Sequence, residues 1–202
     1  MTIIAMPTSP AFTTSDWGIR RTVAVSESPF TGQTQVQKYA KAQWYATLSL
    51  PPMKRSQAVE WQSFFMLLEG RANTFLLGDP DAKTVTGGNA PTSISVTSSA
   101  TIGTTPITSV SLNIGGSNKK LNKGSYLQFG TGATSRLHMI VDDNTGNGAV
   151  TIQPPLKDSI TTGTTVTFAP AQGLFRMDTN ELTWSANELS NYGITFSCSE
   201  AL

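Results

Sequence analysis

A proline pair, Pro51-Pro52, sits between two stretches of opposite periodicity, and this constrains the chain more than any other feature. Before it, Trp44, Ala46, Leu48 and Leu50 alternate with Tyr45, Thr47 and Ser49, the period of a strand with one buried face. Proline can neither donate to a ladder nor extend it, so the strand must stop there. After it, Ala58, Trp61, Phe64, Phe65 and Leu68 recur at ~100° per residue, which predicts an amphipathic helix running to about Glu69. Gly70 is placed to supply the left-handed residue that closes it. Phe75, Leu76 and Leu77 then resume a strand, and Gly78-Asp79-Pro80 turns the chain. A helix face of five large apolar groups needs a sheet to lie on, and its flanking strands are the nearest candidates.

The same alternation marks a first strand (Trp17, Ile19, Arg21, Val23, Val25), in which Arg21 is the odd member of its face. Ser28 to Gly32 reads as a turn. Residues 33–43, QTQVQKYAKAQ, are polar on both faces; they form either a solvated ribbon or one that meets another chain. Near the other end, Tyr192, Ile194, Phe196 and Cys198 alternate with Gly193, Thr195, Ser197 and Ser199. Leu174 to Met177 and the surroundings of Trp184 read as two further strands.

Between these ends the texture changes. Residues 81–170 are rich in Thr, Ser and Gly and contain no tryptophan; Trp17, Trp44, Trp61 and Trp184 all lie outside. Residues 1–82 and 171–202 are therefore expected to form one discontinuous β-sandwich domain with one flanking helix and a core shared by the four tryptophans. Residues 83–170 are expected to form an inserted domain that supplies little of that core. Five short strands near 108–114, 125–129, 136–141, 149–153 and 165–168 fit a small OB-like β-barrel or a small sandwich. Residues 88–105 read as a loose connection. The fold class is mainly β.

Charged residues make up 13% of the 202 and the net charge is +1, about half the usual charged share of ~25%. Such a surface attracts neither nucleic acid nor an acidic membrane, and tolerates burial between subunits. The lone Cys198 excludes an internal disulfide. The N-terminus lacks the basic region of a signal peptide, and no run approaches ~18 apolar residues, so export and a membrane segment are not expected.

Reactive chemistry is thin. His138 lies on a strand with Leu137, Met139 and Val141 on its opposite face, and is expected to be exposed or hydrogen-bonded. Cys198, on an apolar face, reads as a small core residue. Asp142 to Gly148 (DDNTGNG) matches a calcium loop only at Asp142 and Asn144. It has Gln153 where the bidentate glutamate belongs, and so reads as a turn. Asp79 and Asp81 read as turn residues. Lys119, Lys120 and Lys123, near Tyr126 and Phe129, form the one basic cluster of the insert and read as a solvated loop rather than a single-strand-binding groove. No catalytic, cofactor-binding or metal-ligating residues are expected.

Ordered segments along the chain resemble the distal tail proteins of long-tailed bacteriophages. They are SPFTGQTQV (28–36), WYATLSLPPMKR (44–55), FFMLLEGRANTFLLGDP (64–80), LNKGSYLQFG (121–130), RLHMI (136–140), QPPL (153–156), GLFRM (173–177) and YGITFS (192–197). The resemblance implies a virion structural protein assembled in the bacterial cytoplasm. It implies a β-sandwich with one helix, related to tail-tube proteins and often carrying an OB-like insert. It further implies a homo-hexameric ring between the tail tube and the tip or hub proteins, with DNA passing through the lumen, and no enzymatic activity. The alternative class is a carbohydrate- or receptor-binding module that uses the insert.

Overall fold

Two antiparallel sheets and one helix account for most of the molecule in the computed structural model, which describes residues 1–85, 88–102, 106–186 and 191–202. The protein is mainly β. Strands β1 (Thr14–Glu27) and β2 (Thr34–Ser49) form a long hairpin. Its turn is closed by Ser28 N–H donating to Gln33 O (2.9 Å) and Gly32 N–H donating to Ser28 O (2.9 Å). Gly32, at φ 67°, takes the left-handed conformation this turn requires.

Helix α1 (Arg55–Leu68) follows the proline break and buries Ala58, Trp61, Phe64, Phe65 and Leu68, the set its spacing predicts. Its end differs from expectation by one residue. Glu69 (φ 50°) is already left-handed and donates its N–H to Met66 O, and Gly70 (φ 64°) continues the reversal. Asn180 accounts for the glycine that follows: it lies 3.0 Å from where a Cβ of residue 70 would stand, and its Oδ1 accepts Arg71 N–H at 3.2 Å.

Strands β3 (Phe75–Leu77), β11 (Gly173–Met177), β12 (Trp184–Ala186) and β13 (Tyr192–Glu200) complete the first sheet, in the order β1-β2-β13-β11-β3 with β12 also on β13. Pairings such as Leu48↔Phe196, Ala46↔Cys198 and Phe75↔Phe175 put the apolar residues on one face. The opposite face is polar. There Thr47 meets Ser197 and Ser49 meets Thr195 through their hydroxyls, and Arg20 lies over the ring of Tyr45. Only the apolar face is covered. Trp61, Phe64 and Phe65 of α1 pack on Phe75 and Phe196 there, with Phe12 from the N-terminal segment.

The remaining strands are β4 (Ser95–Val96), β5 (Ser109–Asn113), β6 (Lys120–Leu121), β7 (Tyr126–Phe129), β8 (Arg136–Ile140), β9 (Asn144–Thr145) and β10 (Gly148–Gln153). They form a curled sheet in the order β4-β5-β10-β8-β7, with β6 and β9 paired separately. Residues 164–167 bridge its two edges, through Ser95↔Thr165 on one side and Gln128↔Thr167 on the other. The ring that results encloses Val96, Val110, Leu112, Leu127, Ile140, Val150, Ile152 and Val166. Four of the five expected strands are present as β5, β7, β8 and β10; the fifth, expected at 165–168, makes only isolated bridges at Thr165 and Thr167, because it passes between two sheet edges instead of running along one, and the two-residue strands β4, β6 and β9 are added. Residues 88–105 were expected to be a loose connection, yet Ser95–Val96 within them is the strand on which the ring closes; positions 103–105 lie outside the described residues.

Two expectations about the core need correction. Trp184 does not join the other tryptophans; it is 39% exposed on the short strand β12. The insert also supplies part of the host core. Leu137 of β8 is fully buried in it, and Tyr126 and Met139 pack beside it. The reason is geometric. Strand β8 alternates, so His138 and Ile140 turn toward the barrel while Leu137 and Met139 turn toward the first sheet. There Trp44 donates its Nε1–H to Leu137 O at 2.8 Å, and a Cβ on Gly173 would come within 3.0 Å of Leu137 Cβ. The second layer over the sheet is therefore composite: α1 over one part, the β7–β8 wall over another. The chain leaves and re-enters the sheet at neighbouring points, since Leu77 pairs with Gly173.

Candidate assembly surfaces and the buried polar seam

Two salt bridges stand at the seam between barrel and sheet. Glu200, at the end of β13, continues the buried parity of Ile194, Phe196 and Cys198, and its side chain is wholly buried. It pairs with Lys157 from the loop after β10 and accepts Trp44 N–H at 3.2 Å. Burial pushes the Lys157 ammonium below its ordinary pKa, against the opposing pull of Glu200. Arg136 pairs with Asp158 at 2.9 Å and donates to Ala201 O at 3.2 Å. Gln128 accepts Gln172 N–H at 3.0 Å, and Arg21 reaches Gln153 Oε1 at 3.1 Å. Arg21 is thus out of place on an apolar face because it reaches across to the barrel. Of these, Lys157–Glu200, Arg136–Ala201, Gln128–Gln172 and Arg21–Gln153 cross from the insert to the rest of the chain.

His138 is fully buried beside Phe129, with Nδ1 2.7 Å from Pro154 O. Of the two states expected for it, the hydrogen-bonded one holds. Burial, reinforced by the positive charges of Lys157 and Arg136, lowers its pKa from 6.5 to about 3, while the Pro154 bond works the other way. The ring is neutral and Nδ1 is the donor, because the Pro154 carbonyl can only accept. A cavity of about 230 Å³ lies alongside, lined by Arg136, His138, Asp158, Thr134, Thr161 and Phe129 among others.

The other residues singled out from sequence are engaged within the chain. Asp143 accepts Lys123 N–H (2.8 Å), Asn147 accepts Ile114 N–H (2.9 Å) and Asn144 donates to Ala149 O (3.0 Å), so the polar side chains of 142–148, which include strand β9, tie this connection to its neighbours. The lysine cluster pairs against it: Lys120 belongs to β6, and Lys119 Nζ donates to Ala90 O at 3.1 Å. Asp79 accepts Asp81 N–H at 3.1 Å and also bonds the Tyr126 hydroxyl. Burial and this carboxylate raise the Tyr126 phenol to about 12. Cys198 is buried, and burial pushes its thiol up and keeps it protonated. Among the described residues, no group of three or more His, Cys, Asp or Glu is placed to hold a metal ion. No helix among the described residues is long and apolar enough to cross a membrane.

Two surfaces are uncovered among the described residues. The first is the outer half of the β1–β2 hairpin. The ladder shifts register between Arg21 and Val23, and beyond that point five pairs, Val23↔Lys38 to Glu27↔Thr34, run out to the turn. At ~3.3 Å per residue this arm is about 17 Å long. Val23, Val25, Phe30, Val36 and Tyr39 are exposed on it, Phe30 by 95%. Strand β1 is also the free edge of the sheet, 14 residues long, whereas the β3 edge is screened by the N-terminal segment through Ile3↔Thr74. The second surface is the back of α1, where Val59, Gln62, Ser63, Met66 and Leu67 form a shallow groove with Trp184.

No protein-family model matches this chain, and no curated protein does.

Proposed function

We propose that this chain is a structural protein of a bacteriophage virion, assembled in the host cytoplasm, which forms a homo-hexameric ring at the distal end of the tail and joins tail tube to tip or hub proteins. It does no chemistry of its own, and nucleic acid meets it only as DNA passing through the lumen. The observation that carries this reading is the open edge of β1. An unpaired 14-residue edge strand is a template for another chain, which proteins cover, twist away or close into a ring. A heterologous contact repeated around an axis covers every such edge without leaving a free end. The ordered sequence resemblance supports the place in the tail, the neighbours and the number six. The polar Ser/Thr face of the sheet supports a solvated inner or outer wall, and the fastened seam supports a role in which the insert is carried at a fixed angle.

The test is the copy number and position of this chain in an imaged particle. Six copies in one ring at the tail tip is the expected result; a single copy per tail refutes the reading. A second reading, a carbohydrate- or receptor-binding module, is favoured by the cavity beside His138, where hydroxyl, guanidinium and carboxylate groups stand near an aromatic ring. Saturable binding of soluble glycans by a monomeric chain, abolished by Arg136→Ala, would select it instead.

A further inference from the structure

We infer that the cavity beside His138 takes a small neutral polyol, a single sugar ring or a shorter sugar alcohol, one hydroxyl of which donates to His138 Nε2. This rests on the second reading above and gives it a site; the ring proposal does not depend on it. The imidazole is fully buried and lines the cavity. Its Nδ1–H is spent on Pro154 O (2.7 Å), so Nε2, on the other side of the ring, carries a bare lone pair. Among the described residues nothing hydrogen-bonds to it. Buried acceptors are ordinarily satisfied, and one that is not gives an incoming donor more than an acceptor already bonded to water can.

The groups around the cavity set the charge of the guest. Arg136 is committed to Asp158 (2.9 Å) and to the carbonyls of Ser135 (3.3 Å) and Ala201 (3.2 Å), and Lys157 is committed to Glu200. Neither cation is left to hold an anion, which would also face the Nε2 lone pair and the Asp158 carboxylate in the same wall. A cationic guest would meet Arg136 and Lys157, the two charges that also disfavour protonation of His138. A neutral molecule with hydrogens to give remains. Nε2 and Asp158 supply two acceptors, and the hydroxyls of Thr161 and Thr164, 3.1 Å apart, can give or take. Phe129 and Ile160 add apolar wall. Hydroxyls spaced along a C–H skeleton match both kinds of surface. The volume of about 230 Å³ falls below the ~300–1,000 Å³ of drug-sized sites, which suits one ring rather than an oligosaccharide.

The test uses the full-length unmodified chain labelled with nitrogen-15. His138 is the only histidine, so its two ring nitrogens are read without assignment. Glucose, galactose, mannitol and glycerol are titrated separately, with inorganic phosphate and acetamide as the anionic and amide comparisons. The expected result is a saturable upfield movement of Nε2 with at least one of the four polyols while Nδ1 stays nearly fixed. Among singly deoxygenated analogues of the best binder, the one lacking the donating hydroxyl binds about tenfold more weakly. No saturable movement with any of the four, or movement with phosphate or acetamide instead, overturns the inference. Glycan binding that leaves both nitrogens unmoved also overturns it, but leaves the second reading standing with its site elsewhere on the chain. No glycan binding of any kind refutes both.

Discussion

His138 should make this protein acid-sensitive in a pH range where most carboxylates are still ionised. In the folded chain the imidazole is sealed from water and faces two cations, so its pKa is about 3; in the unfolded chain it returns to 6.5. The folded state therefore binds fewer protons. The stabilisation is complete above about pH 6.5 and is lost progressively as pH falls toward 3. Integrating the difference gives a loss of about 2 kcal/mol at pH 5 and about 3 kcal/mol at pH 4. With a urea slope of about 2 kcal/mol per M, the unfolding midpoint should move down by about 1 M between pH 7.5 and pH 5. His138→Gln, whose amide can still donate to Pro154 O, removes the titrating group and should flatten this dependence while costing a smaller constant amount. Because His138 is the only histidine, its proton resonances also report its titration without assignment. Equal pH slopes in the two proteins, or a folded-state midpoint near 6.5, would refute the reasoning.

Leu137→Ala should cost about 3 kcal/mol, the usual penalty for a cavity at a fully buried leucine, and should red-shift tryptophan emission because Trp44 lies against that position. Deleting residues 83–169 and bridging the gap with a short Gly/Ser linker should expose Trp44 and abolish a sharp urea transition; a cooperative transition with buried tryptophans would mean the seam is dispensable. Glu200→Gln leaves Lys157 buried without its counter-charge and should destabilise by about 3 kcal/mol, seen as a fall in urea midpoint at pH 7. Cys198 should resist thiol reagents in the native protein and react fully once unfolded; rapid labelling of the native chain would contradict its burial.

The helix and its five core residues, the hairpin turn, the terminal strand and four of the five expected barrel strands could be read from sequence because each is a local pattern. Proline stops a ladder wherever it occurs, and a period of two or 3.6 fixes which side chains share a face before any partner is known. The burial of Cys198 and the turn bond of Asp79 were legible for the same reason. Strand β4 escaped because two residues carry no period. Glu200 had a signal, since it continues the apolar parity of Ile194, Phe196 and Cys198, but parity does not say that Lys157 will be there to meet it. Trp184 misled because hydrophobicity favours burial without guaranteeing a place in the core. Leu137 was assigned to the wrong neighbourhood because alternation names two faces of β8 without saying what covers each. Those outcomes depend on contacts between residues tens of positions apart, such as Trp44 with Leu137 and Lys157 with Glu200. Only the three-dimensional packing of the barrel against the sheet brings them together, and it is also what leaves the arm and the helix groove uncovered.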